Sequence, residues 1–135
     1  MSERPDRATG TVREWLRYAE EDLGVAERES ARGTGAYHTI CFLCQAAAEK
    51  LLKAYLIGQG WTLERTHDIV ALLEFCAEYD PAWRDLAPDG VVLNEYIVAG
   101  RYPGDLALEG IGEAEAREAL QAVRRIRDRV RQELL

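Results

Sequence analysis

The chain has no stretch of alternating apolar and polar residues, so nothing in it reads as a half-buried strand. It also lacks any run of about 18 apolar residues, which excludes a membrane-spanning helix. Proline occurs only at Pro5, Pro81, Pro88 and Pro103, and none interrupts a long periodic run, so each marks a boundary. Aromatic residues make up only 8% of the sequence. The three cysteines are an odd number in apolar surroundings, which suits reduced thiols and a cytoplasmic location. Positive charge is scarce too: 17 Lys and Arg face 24 Asp and Glu, a formal net charge of -7. That balance argues against a non-specific nucleic-acid coat, which needs a broad basic surface. The opening "MSERPDRATG" is polar and has no apolar signal region, so residues 1–10 are expected to be a flexible lead-in to a bundle spanning 11–135. No internal repeat or low-complexity segment is visible.

What remains is rich in Ala, Leu, Glu and Arg, the composition of helices. At 135 residues the chain is one domain, long enough to bury roughly two thirds of its unfolded surface. Thr11-Val12-Arg13-Glu14 fits a capping box, and Val12, Leu16, Ala19, Leu23 and Ala26 follow at helical spacing. A first helix is therefore expected over about 12–31, ended by the glycines of "RGTG". A second should start near Thr34 and reach about Gly58, with Ile40, Leu43, Cys44, Ala47, Leu51, Ala54 and Tyr55 inward. Thr66 is the expected N-cap of a third helix, about 67–79, with Ile69, Leu72, Leu73 and Cys76 inward. Asp80-Pro81 then starts a short helical piece over about 81–86, with Asp as cap and Pro in the first turn. A fourth helix, about 89–99, carries Val92, Leu93, Tyr96 and Ile97. After a loop over 100–112 the fifth runs to the C-terminus with Ala116, Leu120, Val123, Ile126 and Val130 inward, acidic at its start and basic at its end, as the helix dipole favours. The fold class is all-α, an up-and-down antiparallel bundle of four to five helices.

Several groupings could carry chemistry. Cys41 and Cys44, with His38 before them, allow a zinc reading if Cys76, His67 or a carboxylate supplies a further ligand. The plainer alternative is a pair of small apolar side chains in the core. Arg32 and His38 straddle a glycine turn at a spacing that some ribonucleases use, the Arg for phosphate and the His for proton transfer. Thr66-His67-Asp68 places a titratable imidazole beside a carboxylate at a helix start. Gln45, Glu49, Lys50 and Lys53 share one side of the second helix, either as a solvated face with ion pairs or as a phosphate- or partner-facing surface. Five arginines between Arg124 and Arg131, against the single acid Asp128, leave a local basic groove open.

The stretch "VAGRYPGDLA", Val98 to Ala107, differs from its surroundings. Pro103 pushes Tyr102 out of the helical region, so a helix must stop there and Arg101-Tyr102 sit in an extended turn. A fixed Arg beside an aromatic suits a phosphate or a base. It suits a helix C-terminus with a packed Tyr equally well.

The stretches "AEEDLGVAE", "AYHTICFLCQAAAEKLLKAYL", "RTHDIVALL" and "NEYIVAGRYPGD", in that order and at those separations, resemble the HEPN domains (higher eukaryotes and prokaryotes nucleotide-binding). The resemblance covers about residues 12 to 133. It implies an all-helical bundle, commonly a homodimer, often encoded beside a minimal nucleotidyltransferase as a toxin–antitoxin-type pair. Many members are metal-independent ribonucleases whose site is an Arg followed shortly by a His near the start of the last long helix. Arg101 stands at about that place here, but Asp105, Leu106, Ala107 and Leu108 follow it, with no His. The chain thus looks like the branch named for nucleotide binding. On that resemblance the expected ligand-binding residues are Lys50, Lys53, His67, Asn94, Arg101 and Tyr102, with no cofactor and no metal. The expected role is a nucleotide- or nucleic-acid-phosphate-binding module acting with the nucleotidyltransferase. The alternatives are a ribonuclease using Arg101 with Tyr102 or His67, and a purely structural interaction bundle.

Overall fold

A computed structural model of the protein describes residues 10–97 and 110–134. Within them are five α-helices: α1 (Val12–Arg32), α2 (Tyr37–Gly58), α3 (Ile69–Tyr79), α4 (Ala87–Asn94) and α5 (Glu113–Leu134), with a 3-10 helix at Pro81–Leu86 leading into α4. No strand occurs among the described residues.

The helix α2 is the centre of the bundle because it is apolar nearly all round. Twelve of its residues are buried, against three on α1. A helix with a single apolar stripe lies on a surface, whereas one that is apolar all round must be covered on several sides. Accordingly α1, α3, α4 and α5 all pack on α2, while α1 and α5 barely touch each other. The stripe of α1 reduces to Ala19, Leu23 and Ala26, and its two alanines are small enough to let the two backbones approach. On α5, Ala116, Leu120, Val123, Ile126 and Val130 are all buried, as their spacing requires. Trp83 of the 3-10 helix is fully buried, its ring centre 4.7 Å from that of Tyr55 on α2.

Helix starts follow the expected chemistry in two places. Thr11 and Glu14 form a complete capping box, with Glu14 N donating to Thr11 Oγ1 at 3.0 Å and Thr11 N donating to Glu14 Oε1 at 2.9 Å. Asp80 caps the 3-10 helix, accepting from Ala82 N at 3.0 Å, with Pro81 next. Three boundaries differ from expectation. α2 begins at Tyr37 rather than near Thr34, because the Thr34 hydroxyl donates to Glu29 Oε1 at 2.9 Å and does not cap the helix. α3 begins at Ile69, not 67. Thr66 Oγ1 is spent on Asp68 N at 3.1 Å, and Asp68 becomes the cap, accepting from Ala71 N at 3.0 Å. α4 begins at Ala87 rather than 89, since Pro88 falls in the first turn, where a missing N–H costs nothing. It ends at Asn94, and residues 98–99 of the expected helix lie outside the described residues.

The arginine run of α5 does not form an open basic groove. Arg124 and Arg127 reach Glu27, Arg125 reaches the buried Asp89, Arg129 reaches Asp80 and Glu133, and Arg131 reaches Glu20. These bridges tie α5 to α1, to α4 and to the start of the 3-10 helix. Arg129 also stacks over Trp83, 4.9 Å from its ring centre.

Candidate functional site

The loop 59–68 returns from the end of α2 and lies back along its polar side. Gly60 allows the reversal, with φ at +88° where a side chain would be strained. Trp61 then packs against Phe75 of α3, ring centres 5.5 Å apart. Two side chains of α2 hold the far end of the loop, and a third, Lys53, pairs with one of them. Gln45 Nε2 donates to the His67 carbonyl at 3.0 Å. Glu49 Oε1 lies 2.9 Å from His67 Nδ1, and Glu49 Oε2 accepts from Lys53 Nζ at 2.7 Å. Gln45 and Lys53 are buried, so this side of α2 is not a solvated face. Its polar groups are covered by the loop and satisfy one another.

From the opposite side, Asn94 at the end of α4 completes the frame. Its Oδ1 accepts from Ile69 N at 2.7 Å and its Nδ2 donates to Asp68 Oδ1 at 2.8 Å. Ile69 N is one of the first-turn donors that an α-helix leaves without an internal acceptor. Hydrogen bonds from Asn94 and from Ala71 N hold the Asp68 carboxyl below its ordinary range.

Beside this frame, Trp15, Lys53, Leu63, Glu64, Arg65 and His67 line an open cleft of about 310 Å³. The Lys53 ammonium sits 5.6 Å from the Trp15 ring centre on one side and against Glu49 on the other, which offsets its charge. The His67 side chain is 61% exposed. With Nδ1 engaged by Glu49, the other ring nitrogen is left to meet a ligand. Arg65 is exposed and pairs with no acid among the described residues. A second cleft of about 250 Å³, lined by Gly10, Glu14, Trp15, Tyr18 and Lys50, shares Trp15 with the first. Lys50 is bridged to Asp22 of α1. The open groove of about 540 Å³ between the start of α1 and the end of α5 is mainly apolar, lined by Val12, Leu16, Val130 and Leu134 together with Arg13, Glu20 and Arg131, and holds none of the expected site residues.

The expected residues therefore separate. Lys53 and His67 meet in one cleft through Glu49, and Lys50 lies in the adjoining one. Asn94 spends both ends of its amide on the start of α3. Arg101 and Tyr102 lie outside the described residues. Trp15 and Arg65 were missed in the sequence, although a signal existed: Trp15 is a large aromatic standing off the apolar stripe of its own helix.

The cysteine cluster has no chemistry of this kind. Cys41, Cys44 and Cys76 are free and buried. Burial pushes the Cys41 thiol up to about 11 against the opposing hydrogen bond from Tyr96, and it raises Cys44 and Cys76 further. His38 is exposed, away from the buried sulfurs of its own helix, and among the described residues no three His, Cys, Asp or Glu side chains stand close enough to share a metal. Arg32 and His38 are both exposed on either side of the turn at Gly33 and Gly35.

Among known proteins, the HEPN domain model matches residues 12–133. The fold superposes on an archaeal HEPN homologue, ST0689, with a TM-score of 0.74 and 29% identity over 93% of this chain and 98% of that one. It superposes on TT1696 from Thermus thermophilus with a TM-score of 0.77 and 30% identity over 90% of this chain and 97% of that one. No curated protein gave a significant match.

Proposed function

The chain belongs to the HEPN domain family, and on that premise we propose that it is a nucleotide- or nucleic-acid-phosphate-binding module that works with a minimal nucleotidyltransferase in a toxin–antitoxin-type pair. The observation that carries this reading is the cleft in which Arg65, unpaired among the described residues, lies beside a His67 held by Glu49. An Arg and a buttressed imidazole are the groups that take a phosphate, the first by charge-assisted hydrogen bonds and the second by a directed one. In this reading the protein is a cytoplasmic homodimer, and Arg101 and Tyr102 add a further contact to the ligand. No helix among the described residues is long and apolar enough to cross a membrane.

Isothermal titration of the purified protein with nucleoside phosphates and short RNA tests the binding half of the proposal. Copurification with the product of an adjacent nucleotidyltransferase gene tests the partner half. Binding of neither a nucleotide nor RNA would remove the first half, leaving a purely structural partner.

The Glu49–His67 pair also favours one second reading. A carboxylate that fixes the imidazole tautomer is the arrangement of a general acid–base group, so a ribonuclease centred on His67 would have its proton carrier in place. Incubation with single-stranded RNA decides between the two: cleavage abolished by His67→Ala and retained by Arg32→Ala would establish it.

A further inference from the structure

We propose that the two clefts flanking Trp15 form one site for an unpaired nucleoside phosphate, free or within a single strand, with the base against Trp15 and Tyr18 and the phosphate at Arg65 and His67. This rests on the binding role proposed above and gives it a location and a ligand class.

Trp15 belongs to both clefts, so a molecule occupying one extends past the indole into the other. Their volumes, about 250 and 310 Å³, together fall in the range of small-molecule sites, roughly 300–1,000 Å³. Trp15 and Tyr18 stand one turn apart on α1, and neither belongs to the Ala19, Leu23 and Ala26 stripe that meets α2. Tyr18 is 47% exposed. Each ring already has a cation over it, Lys53 at 5.6 Å from the Trp15 centre and Arg17 at 4.8 Å from that of Tyr18, and a base stacked on the remaining ring surface gains about 1–3 kcal/mol whatever its identity.

The charges on the other side of the indole fit a single phosphate better than a polyanion. Lys50 and Lys53 are each offset by an acid, Asp22 and Glu49. That leaves Arg65 and the outer nitrogen of His67 for the ligand, while Glu64, also without a partner among the described residues, lies in the same cleft. The local field is close to neutral, so attraction by charge alone is weak and the base must supply much of the affinity. A duplex, whose bases are already stacked and paired, has nothing to offer Trp15.

The test titrates the full chain with adenosine 5′-monophosphate, adenosine, inorganic phosphate, a single-stranded RNA hexamer and the same hexamer as a duplex. Heat of binding and Trp fluorescence are both recorded. The monophosphate and the single strand are expected to bind and to change Trp fluorescence, with adenosine and phosphate each at least tenfold weaker and the duplex weaker still. Trp15→Leu and Arg65→Gln should each cost about tenfold. Tyr18→Leu replaces Trp15→Leu if circular dichroism shows the latter unfolded, because Tyr18 is exposed and outside the core. Nucleotide binding with affinity unchanged in Arg65→Gln and in the aromatic variant would overturn this site while leaving the general binding role standing. No heat with any nucleotide or RNA would overturn both. Inorganic phosphate binding as tightly as the nucleotide, or the duplex as tightly as the single strand, would overturn the base platform.

Discussion

Replacing Asn94 with Ala removes both hydrogen bonds that Asn94 makes to the start of α3. Ile69 N, on a fully buried residue, loses its acceptor at 2.7 Å, and a backbone donor left unpaired in such a place costs about 1–3 kcal/mol. The bond to Asp68 at 2.8 Å involves an exposed carboxylate that water can serve instead, so its loss adds only about 1 kcal/mol. The sum is about 2–4 kcal/mol, which for a chain of this length lowers the melting temperature by about 6–14 °C. The assay is thermal unfolding followed by circular dichroism near pH 7. Its pH dependence supplies an internal control. The folded Asp68 carboxyl titrates below its unfolded value of about 3.9, first because of Asn94 and then because of Ala71 N. Its contribution is thus present above about pH 4 and is lost as pH falls through the folded value. The gap between wild type and Asn94→Ala should narrow in that acid range by the part owed to Asp68, about 1 kcal/mol, and keep the part owed to Ile69 N. A melting temperature within about 2 °C of wild type near pH 7, or a gap that stays constant into acid, would refute the role assigned to Asn94.

Other consequences can be measured as simply. Glu49→Ala strips Lys53 of its carboxylate partner and frees His67, so unfolding free energy by urea should fall by about 3 kcal/mol, and Glu49→Gln, which keeps the shape and one acceptor, should lose less. Gly90→Ala would place a methyl 2.9 Å from Leu73 Cδ1 and 3.3 Å from Val70 Cγ2, and the crowding should outweigh the gain in helix propensity by about 1 kcal/mol; a more stable variant would show that α3 and α4 part easily. None of Cys41, Cys44 and Cys76 should react with a thiol reagent near pH 8 in the native state, and all three should react in denaturant.

The helices were legible in the sequence because each depends on local pattern. Ala116, Leu120, Val123, Ile126 and Val130 recur at helical spacing on a polar background, and no distant residue is needed to see which way they face. Thr11 with Glu14, and Asp80 with Pro81, are equally local. The start of α3 was misplaced by two residues for the opposite reason. Thr66 and Asp68 both suit a cap, and the choice between them is made by Asn94, 26 positions away. The polar side of α2 shows the same limit. Gln45, Glu49 and Lys53 look like a solvated stripe until the loop 59–68 is laid over them. Of the candidate site, Lys53 and His67 were visible as residue types, but their link through Glu49 and the presence of Trp15 and Arg65 beside them depend on that loop's path. The arginines of α5 carried a basic signal in sequence that their partners on α1, on α4 and around the 3-10 helix neutralise in space.

The clefts around Trp15 and Arg65 are the proposed place of the ligand. Backbone amide shifts of isotope-labelled protein, recorded by NMR during titration with a nucleoside monophosphate, test it most directly. The largest changes are expected on Trp15, Tyr18 and the loop segment Leu63–His67, with α5 little affected. Shifts centred instead on the open groove between Val12, Leu16, Val130 and Leu134, or no shifts at saturating nucleotide, would contradict that placement.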